Sequence, residues 1–212
     1  MRKSVLFSRL LLFFAAVSLL PPLWAQNRPD ALLEYQHGNY NSAADICRGE
    51  IQANPGNIDS YVVLLWSLVK LRRYDEARGY AESALKLSRF DARVIEIAGE
   101  IDYFQGRNTD ALKYFQEYVN MAPDGQRIDM VYYYLGEIYI RLGRFRYADI
   151  ALSTAVYYVP RNALWWTRLG YAQENAGDFR QAAASYEKAI TLDSSLSDAR
   201  RGLERARGAL GQ

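Results

Sequence analysis

One cysteine and one histidine occur in 212 residues. A lone thiol has no intramolecular disulfide partner, and one thiol with one imidazole cannot supply a zinc site. An excess of charge is missing too, with 26 Lys and Arg against 24 Asp and Glu. Arg2, Lys3 and Arg9 all fall in the first 25 residues, where no acid occurs, so the rest has 26 − 3 = 23 bases against 24 acids. Nucleic acid and anionic lipid both call for concentrated positive charge, so a near-neutral chain argues against either as its main partner. There is no Gly-rich phosphate loop with Lys, no His-Glu-x-x-His and no Gly-x-Ser-x-Gly. What is present is globular composition, 50% apolar and 24% charged, which fits neither a disordered nor a collagen-like chain. The length suits one domain or one short repeat array.

Long apolar runs are limited to Leu10–Leu20, which follows the basic Met1–Arg9 stretch and is closed by Pro21 and Pro22. This is the layout of a secretory signal peptide. Eleven residues of helix reach about 17 Å, short of a hydrocarbon core about 30 Å thick. Ala25 is the natural last residue before a cut, giving a signal segment over 1–25 and a mature start at Gln26, although Leu23 is bulkier than usual two positions earlier. An uncleaved anchor would need Val5–Phe7 as well, with Arg9 in its middle at a cost. No Cys follows the run, so a bacterial lipid-modified N-terminus is not supported. Export with no cysteine pair suits a bacterial periplasm, with soluble mature protein, better than a disulfide-rich extracellular space.

The remainder repeats itself. Ala43, Ala77, Ala111, Ala148 and Ala182 are spaced 34, 34, 37 and 34. Five residues before each stands Gly38, Arg72, Gly106, Gly143 or Gly177, so one slot holds Arg in place of Gly. The three extra residues fall just after Pro123, where Asp124-Gly125-Gln126 reads as a lengthened turn. Phe179, Ala182, Tyr186, Ala189 and Ile190 are three or four apart, which marks one face of a helix. Gly177 suits the left-handed turn that ends the helix before it. Gly170 and Ala182 are small where paired helices approach most closely, and a Leu there would overpack the contact by about 1 to 3 kcal/mol.

Trp166, Leu169, Gly170, Gly177, Phe179, Ala182, Tyr186 and Ala189, preceded in register by Tyr132, Leu135, Gly136, Tyr139, Gly143, Phe145, Ala148, Leu152, Ala155 and Pro160, resemble the tetratricopeptide repeat (TPR). The resemblance implies an all-α fold, a right-handed superhelical solenoid of helix-turn-helix units. The repeats run over about 29–57, 58–91, 92–128, 129–162 and 163–196, with a capping helix over 197–210. Projected backward, the frame opens near Trp24 and leaves no room for a further domain before it. The first helix of the first unit must start near Pro29 and end at His37-Gly38, so it is short, and this unit is expected to be the least ordered. At the far end Ala199, Leu203, Ala206 and Leu210 form one stripe among arginines, a solvating cap over the last apolar face, or alternatively a basic docking helix. Ser195 and Asp198 fit a capping box at its start.

Individual candidates for chemistry have plain explanations in this frame. His37 sits at a helix end, suited to a C-terminal cap, and Cys47 occupies the slot of Phe115, Leu152 and Tyr186, a small core hydrophobe. No catalytic residue, metal site or cofactor is expected, and the chain reads as a non-enzyme.

The resemblance implies that the first helix of each pair lines a concave groove where such arrays hold a peptide or a partner helix. That face takes Val62, Trp66, Val69 and Lys70 from the second repeat, then Glu96, Glu100, Tyr103 and Phe104 from the third. The fourth supplies Tyr133, Glu137, Ile140 and Arg141, and the fifth Thr167, Tyr171 and Glu174. Exposed rings mark an interface, and the acids at the centre would favour a basic or amide-rich partner segment. The competing reading is that these rings pack on adjacent helices. Some relatives hold a chaperone's C-terminal carboxylate on this face with a Lys/Asn clamp; that pattern is absent, and Glu96, Glu100 and Glu137 would repel a carboxylate. Two functions stay open. One is a protein interaction scaffold in the bacterial envelope, with self-association also open and membrane contact only through an uncleaved signal segment. The other is an accessory subunit of an envelope transport system that binds a small apolar ligand or lipid around a closed cavity.

Overall fold

The computed structural model describes residues 30–211, so the signal segment expected over 1–25 lies outside the described residues. These residues form eleven helices and no strand. They are α1 (Ala31–Gln36), α2 (Tyr40–Ala53), α3 (Ile58–Lys70), α4 (Tyr74–Leu87), α5 (Ala92–Phe104), α6 (Asn108–Met121), α7 (Ile128–Arg141), α8 (Phe145–Tyr158), α9 (Ala163–Ala176), α10 (Phe179–Leu192) and α11 (Ser197–Ala209). Among the described residues no helix is long and apolar enough to cross a membrane.

Each odd-numbered helix up to α9 turns back through a tight corner into the next, making five hairpins followed by α11. The corner needs a left-handed residue. Gly38, Gly106, Gly143 and Gly177 have φ between 68° and 88°, and Arg72 holds φ 59° in the same role without glycine's freedom. Inside each hairpin the two helices close on small residues. A Cβ on Gly136 would stand 2.4 Å from Leu152 Cγ, and one on Gly170 2.8 Å from the Tyr186 ring, which matches the close approach expected there. α11 uses the same device on the preceding hairpin, since a Cβ on Gly202 would meet Tyr186 at 2.2 Å.

The core runs as successive clusters that bridge neighbouring hairpins, from Leu64, Leu65 and Leu68 through Phe115, Val131 and Ile138 to Tyr186, Ala199 and Ala206 under the cap. Burial is therefore shared between neighbours, as expected of a solenoid. Cys47 is fully buried in this series, and burial pushes its thiol up to about 12. His37 follows α1 as its C-cap. The capping box expected at the last helix does not form. The N-cap of α11 is Leu196 with no side-chain cap bond, Ser195 turns instead onto Asp193 Oδ1, and Asp198 pairs with Arg201.

First-helix backbones come close in series, α1 on α3, α3 on α5, α5 on α7, α7 on α9 and α9 on α11, whereas second-helix backbones among the described residues stand farther apart, α2 and α4 meeting through the long side chains of Arg48 and Glu76. The stack is thus closed on the side of the first helices and splayed on the other, which sets a concave inner face and a convex outer one.

Candidate functional site

The inner face carries the residues expected of a groove but disposes of them unequally. Val62 is core, 1% exposed, in the buried cluster that holds Ala31, Leu65 and Val94. Val69 is buried as well, while Lys70 is exposed at the end of α3. Trp66 is half-buried with its ring 5.7 Å from Tyr35 of α1. Tyr103 is buried, 4.6 Å from the Tyr134 ring, with the Arg141 guanidinium 4.0 Å above it. Phe104 is exposed but stacks outward on Tyr74 of α4 at 5.2 Å. Tyr133 stacks on Trp165 of α9 at 5.0 Å, and burial pushes its hydroxyl up to about 12. Thr167 donates to its own helix at the Ala163 carbonyl, and Tyr171, half-buried, lies edge-on to Phe145. Ile140 is half-buried beside the cluster of Trp165 and Leu169. For Tyr103 and Tyr133, packing on adjacent helices wins over display.

The expected acidic centre is corrected by arginines one repeat on. Arg127 Nε donates to Glu96 Oε1 at 3.2 Å and its Nη2 to Glu100 Oε2 at 3.3 Å. Arg168 grips Glu137 through two bonds of 2.6 and 3.0 Å, and Arg205 of α11 grips Glu174 through two of 2.6 and 2.8 Å. In each case the main pair is 31 residues apart. Glu96 is 1% exposed and Glu137 8%, so neither offers free charge to a ligand. The attraction for a basic segment loses its ground, and so does the like-charge argument against a carboxylate. Along this ladder the carboxyls differ. Burial raises Glu96, with Glu100 adding to the rise and Arg127 opposing it. Burial also pushes Glu174 upward, but hydrogen bonds from Arg205 and Tyr186 outweigh it and hold that carboxyl below its ordinary value.

Beside a depression of about 530 Å³ that Val62 and Trp66 share with Ala31, Asn57 and Ser60, two others draw on the groove residues. The first, of about 460 Å³, is walled by Tyr35, Trp66, Val69, Ala92 and Tyr118, with Lys70 and Arg127 at its edge. The inserted Asp124-Gly125-Gln126 builds one wall. Tyr118 Oη accepts from Arg127 N at 3.2 Å, and a Cβ on Gly125 would lie 2.2 Å from that oxygen, so any larger residue in the loop would have to push the Tyr118 ring aside. The second, of about 380 Å³, lies at the far end among Tyr133, Thr167, Tyr171 and Arg205. Tyr35, Arg127, Arg168 and Arg205 had no place in the sequence-based groove. The signal for the three arginines was the recurring Glu-to-Arg spacing of 31 residues, and Tyr35 had none.

Family models described as tetratricopeptide repeat match residues 63–128 and 166–196. The chain is a tetratricopeptide repeat protein. Among solved structures, it resembles the TPR protein YrrB, described as having an unusual peptide-binding site, with TM-score 0.71 and 18% identity over 78% of this chain and 84% of that one. MamA from Desulfovibrio magneticus RS-1 gives TM-score 0.69 and 19% identity over 79% and 93% of the two chains. At these identities the likeness shows the shared fold. A BBSome complex member of Bos taurus, BBS4, is 26% identical over 119 residues, 56% of this chain, and the TPR chain spans only 22% of that relative's length.

Proposed function

We propose that this TPR protein is an exported, non-enzymatic scaffold that holds a segment of a partner protein in its concave groove, with an apolar side chain seated between Trp66, Val69 and Ala92. The observation that carries this reading is the depression of about 460 Å³ walled from α1, α3, α5 and the 122–127 loop. Contributions from three hairpins and an inserted loop make a site that a single repeat could not build. Its ring and aliphatic walls provide the anchor, as in well-packed interface pockets. With the groove carboxylates matched by arginines, the charge brought to the rim by Lys70 favours an acidic flank on the partner rather than a basic one. A peptide-binding TPR relative of similar fold supports the interaction reading, and the basic and apolar Met1–Ala25 segment supports export to a bacterial periplasm.

The test is recovery of partners from envelope extract by wild type and by Trp66→Ala with Lys70→Glu. A loss of about tenfold or more for at least one partner is expected, and equal recovery of every partner contradicts the groove. Export predicts a mature chain in the periplasmic fraction whose mass begins at Gln26; an intact cytoplasmic chain contradicts it. A small apolar ligand is the second reading, since the depression lies within the usual range of about 300 to 1,000 Å³. Exposed Lys70, Gln126 and Arg127 at its edge leave it open to solvent, which favours a segment. A small molecule retained in native mass spectrometry would reverse that order.

A further inference from the structure

The outer surface is polar on most second helices. α4 presents Arg78 and Glu82, and α6 presents Lys113, Gln116 and Asn120, with Leu87 and Met121 exposed only at their last residues. α8 departs from this. Tyr147 is 60% exposed, Ile150 66% and Tyr157 81%, in one stripe that runs about 15 Å along the helix. Large apolar groups gathered on one surface mark an interface.

Beside the stripe a groove of about 510 Å³ opens between α8 and α10, with Trp166 and Leu169 of α9 in its floor and Tyr157 and Ala184 on its walls. The corresponding space between α4 and α6 is about 50 Å³. The register explains the difference. Tyr114, three residues after Ala111, fills the smaller space, and Ser185, three residues after Ala182, stands in its place in the larger one. Polar groups below are already matched. Ser185 Oγ donates to Gln173 Oε1 at 2.7 Å, and Gln173 Nε2 donates to Asp149 Oδ1 at 2.8 Å.

Charge selects the occupant. Arg144 precedes the stripe and Arg161 follows it, both exposed and neither in an ion pair among the described residues. Arg146 reaches Asp178 only at 3.9 Å. A second copy laid on this face, parallel or antiparallel, would bring arginine against arginine. We propose that α8 and the α8–α10 groove form a second docking surface, on the side opposite the concave groove, for an acidic amphipathic helix of a partner protein. The apolar face of that helix would cover Ile150 and Tyr157, and its carboxylates would meet Arg144 and Arg161.

The test uses fluorescence anisotropy with a labelled synthetic helix of about 18 residues, Leu on one face and Glu on the other. Wild type is expected to bind it saturably in the micromolar range. Ile150→Ser with Tyr157→Ser, and separately Arg144→Glu with Arg161→Glu, should each weaken binding by about tenfold or more with melting unchanged, because all four side chains are exposed. The same helix with Lys for Glu should bind wild type about tenfold more weakly or worse. Absence of saturable binding, equal binding by the variants, or equal binding of the Lys helix overturns the proposal. Co-sedimentation with phosphatidylglycerol vesicles that the serine variant loses would assign the face to a membrane. A dimer in sedimentation velocity that the same variant loses would assign it to a second copy. Either result overturns the proposal.

Discussion

The inner and outer faces of the fourth hairpin hold the same kinds of residue and use them in opposite ways. Inside, Tyr133 stacks on Trp165 and Glu137 is gripped by Arg168, so rings and charges are spent within the fold. Outside, Tyr147 and Tyr157 stay mostly exposed although each meets one other ring, Tyr139 and Tyr158, and Arg144 and Arg161 have no carboxylate partner among the described residues. Residue type on a face is therefore a poor guide to what it offers a ligand. The partner that each ring and charge already has within the chain decides it.

The sharpest way to break the contrast is to unpair an inner carboxylate. Arg168→Ala leaves Glu137 buried without its cation and is expected to cost about 2 kcal/mol, less than the roughly 3 to 5 kcal/mol of a fully buried pair because the guanidinium is partly exposed. Urea unfolding measures it, and a cost near zero would put Glu137 in solvent. A smaller effect separates the two ends of the ladder by pH. The folded protein holds the Glu96 carboxyl above its ordinary value through burial, so between that ordinary value and the raised one the folded chain binds more proton than the unfolded chain. Glu96 then contributes stability that is complete below the ordinary carboxylate range and lost as pH rises through the raised value. Melting of wild type should fall more between about pH 5 and about pH 8 than melting of Glu96→Gln, and parallel curves would contradict the burial.

A calibration lies at a corner away from both faces. Arg72→Gly relieves a left-handed arginine, and a gain of about 1 kcal/mol is expected, reduced by glycine's freer unfolded chain. The smallest effect is on the outer face, where Tyr157→Ser should change stability by less than about 0.5 kcal/mol, in contrast to Arg168→Ala. A loss as large as that of Arg168→Ala would make Tyr157 structural and erase the difference between the faces.

Much of the fold was legible because the spacing of small residues is itself a packing requirement. Gly136 and Gly170 recur where helices close, and the glycines at the corners recur where φ must turn positive. The site was legible only as a face. Tyr103 and Tyr133 lie on the inner side as projected, but whether a ring is shown or stacked depends on the curvature between hairpins, which spacing within one hairpin does not encode. The match of Glu96, Glu137 and Glu174 with Arg127, Arg168 and Arg205 was written in the sequence at constant separation. It acquires meaning only once the superhelix brings consecutive first helices side by side. Tyr147, Ile150 and Tyr157 broke the polar pattern of second helices openly, yet the open groove beside them depends on Ser185 in a different hairpin.

The most direct test of the concave groove is photocrosslinking in cells from an unnatural residue at position 126, in the wall of the depression, with position 82 on the polar outer face as reference. The groove predicts a discrete protein adduct from 126 that is absent from 82 and is lost when Trp66→Ala with Lys70→Glu is introduced into the same chain. No adduct from 126, or the same adducts from both positions, would contradict it.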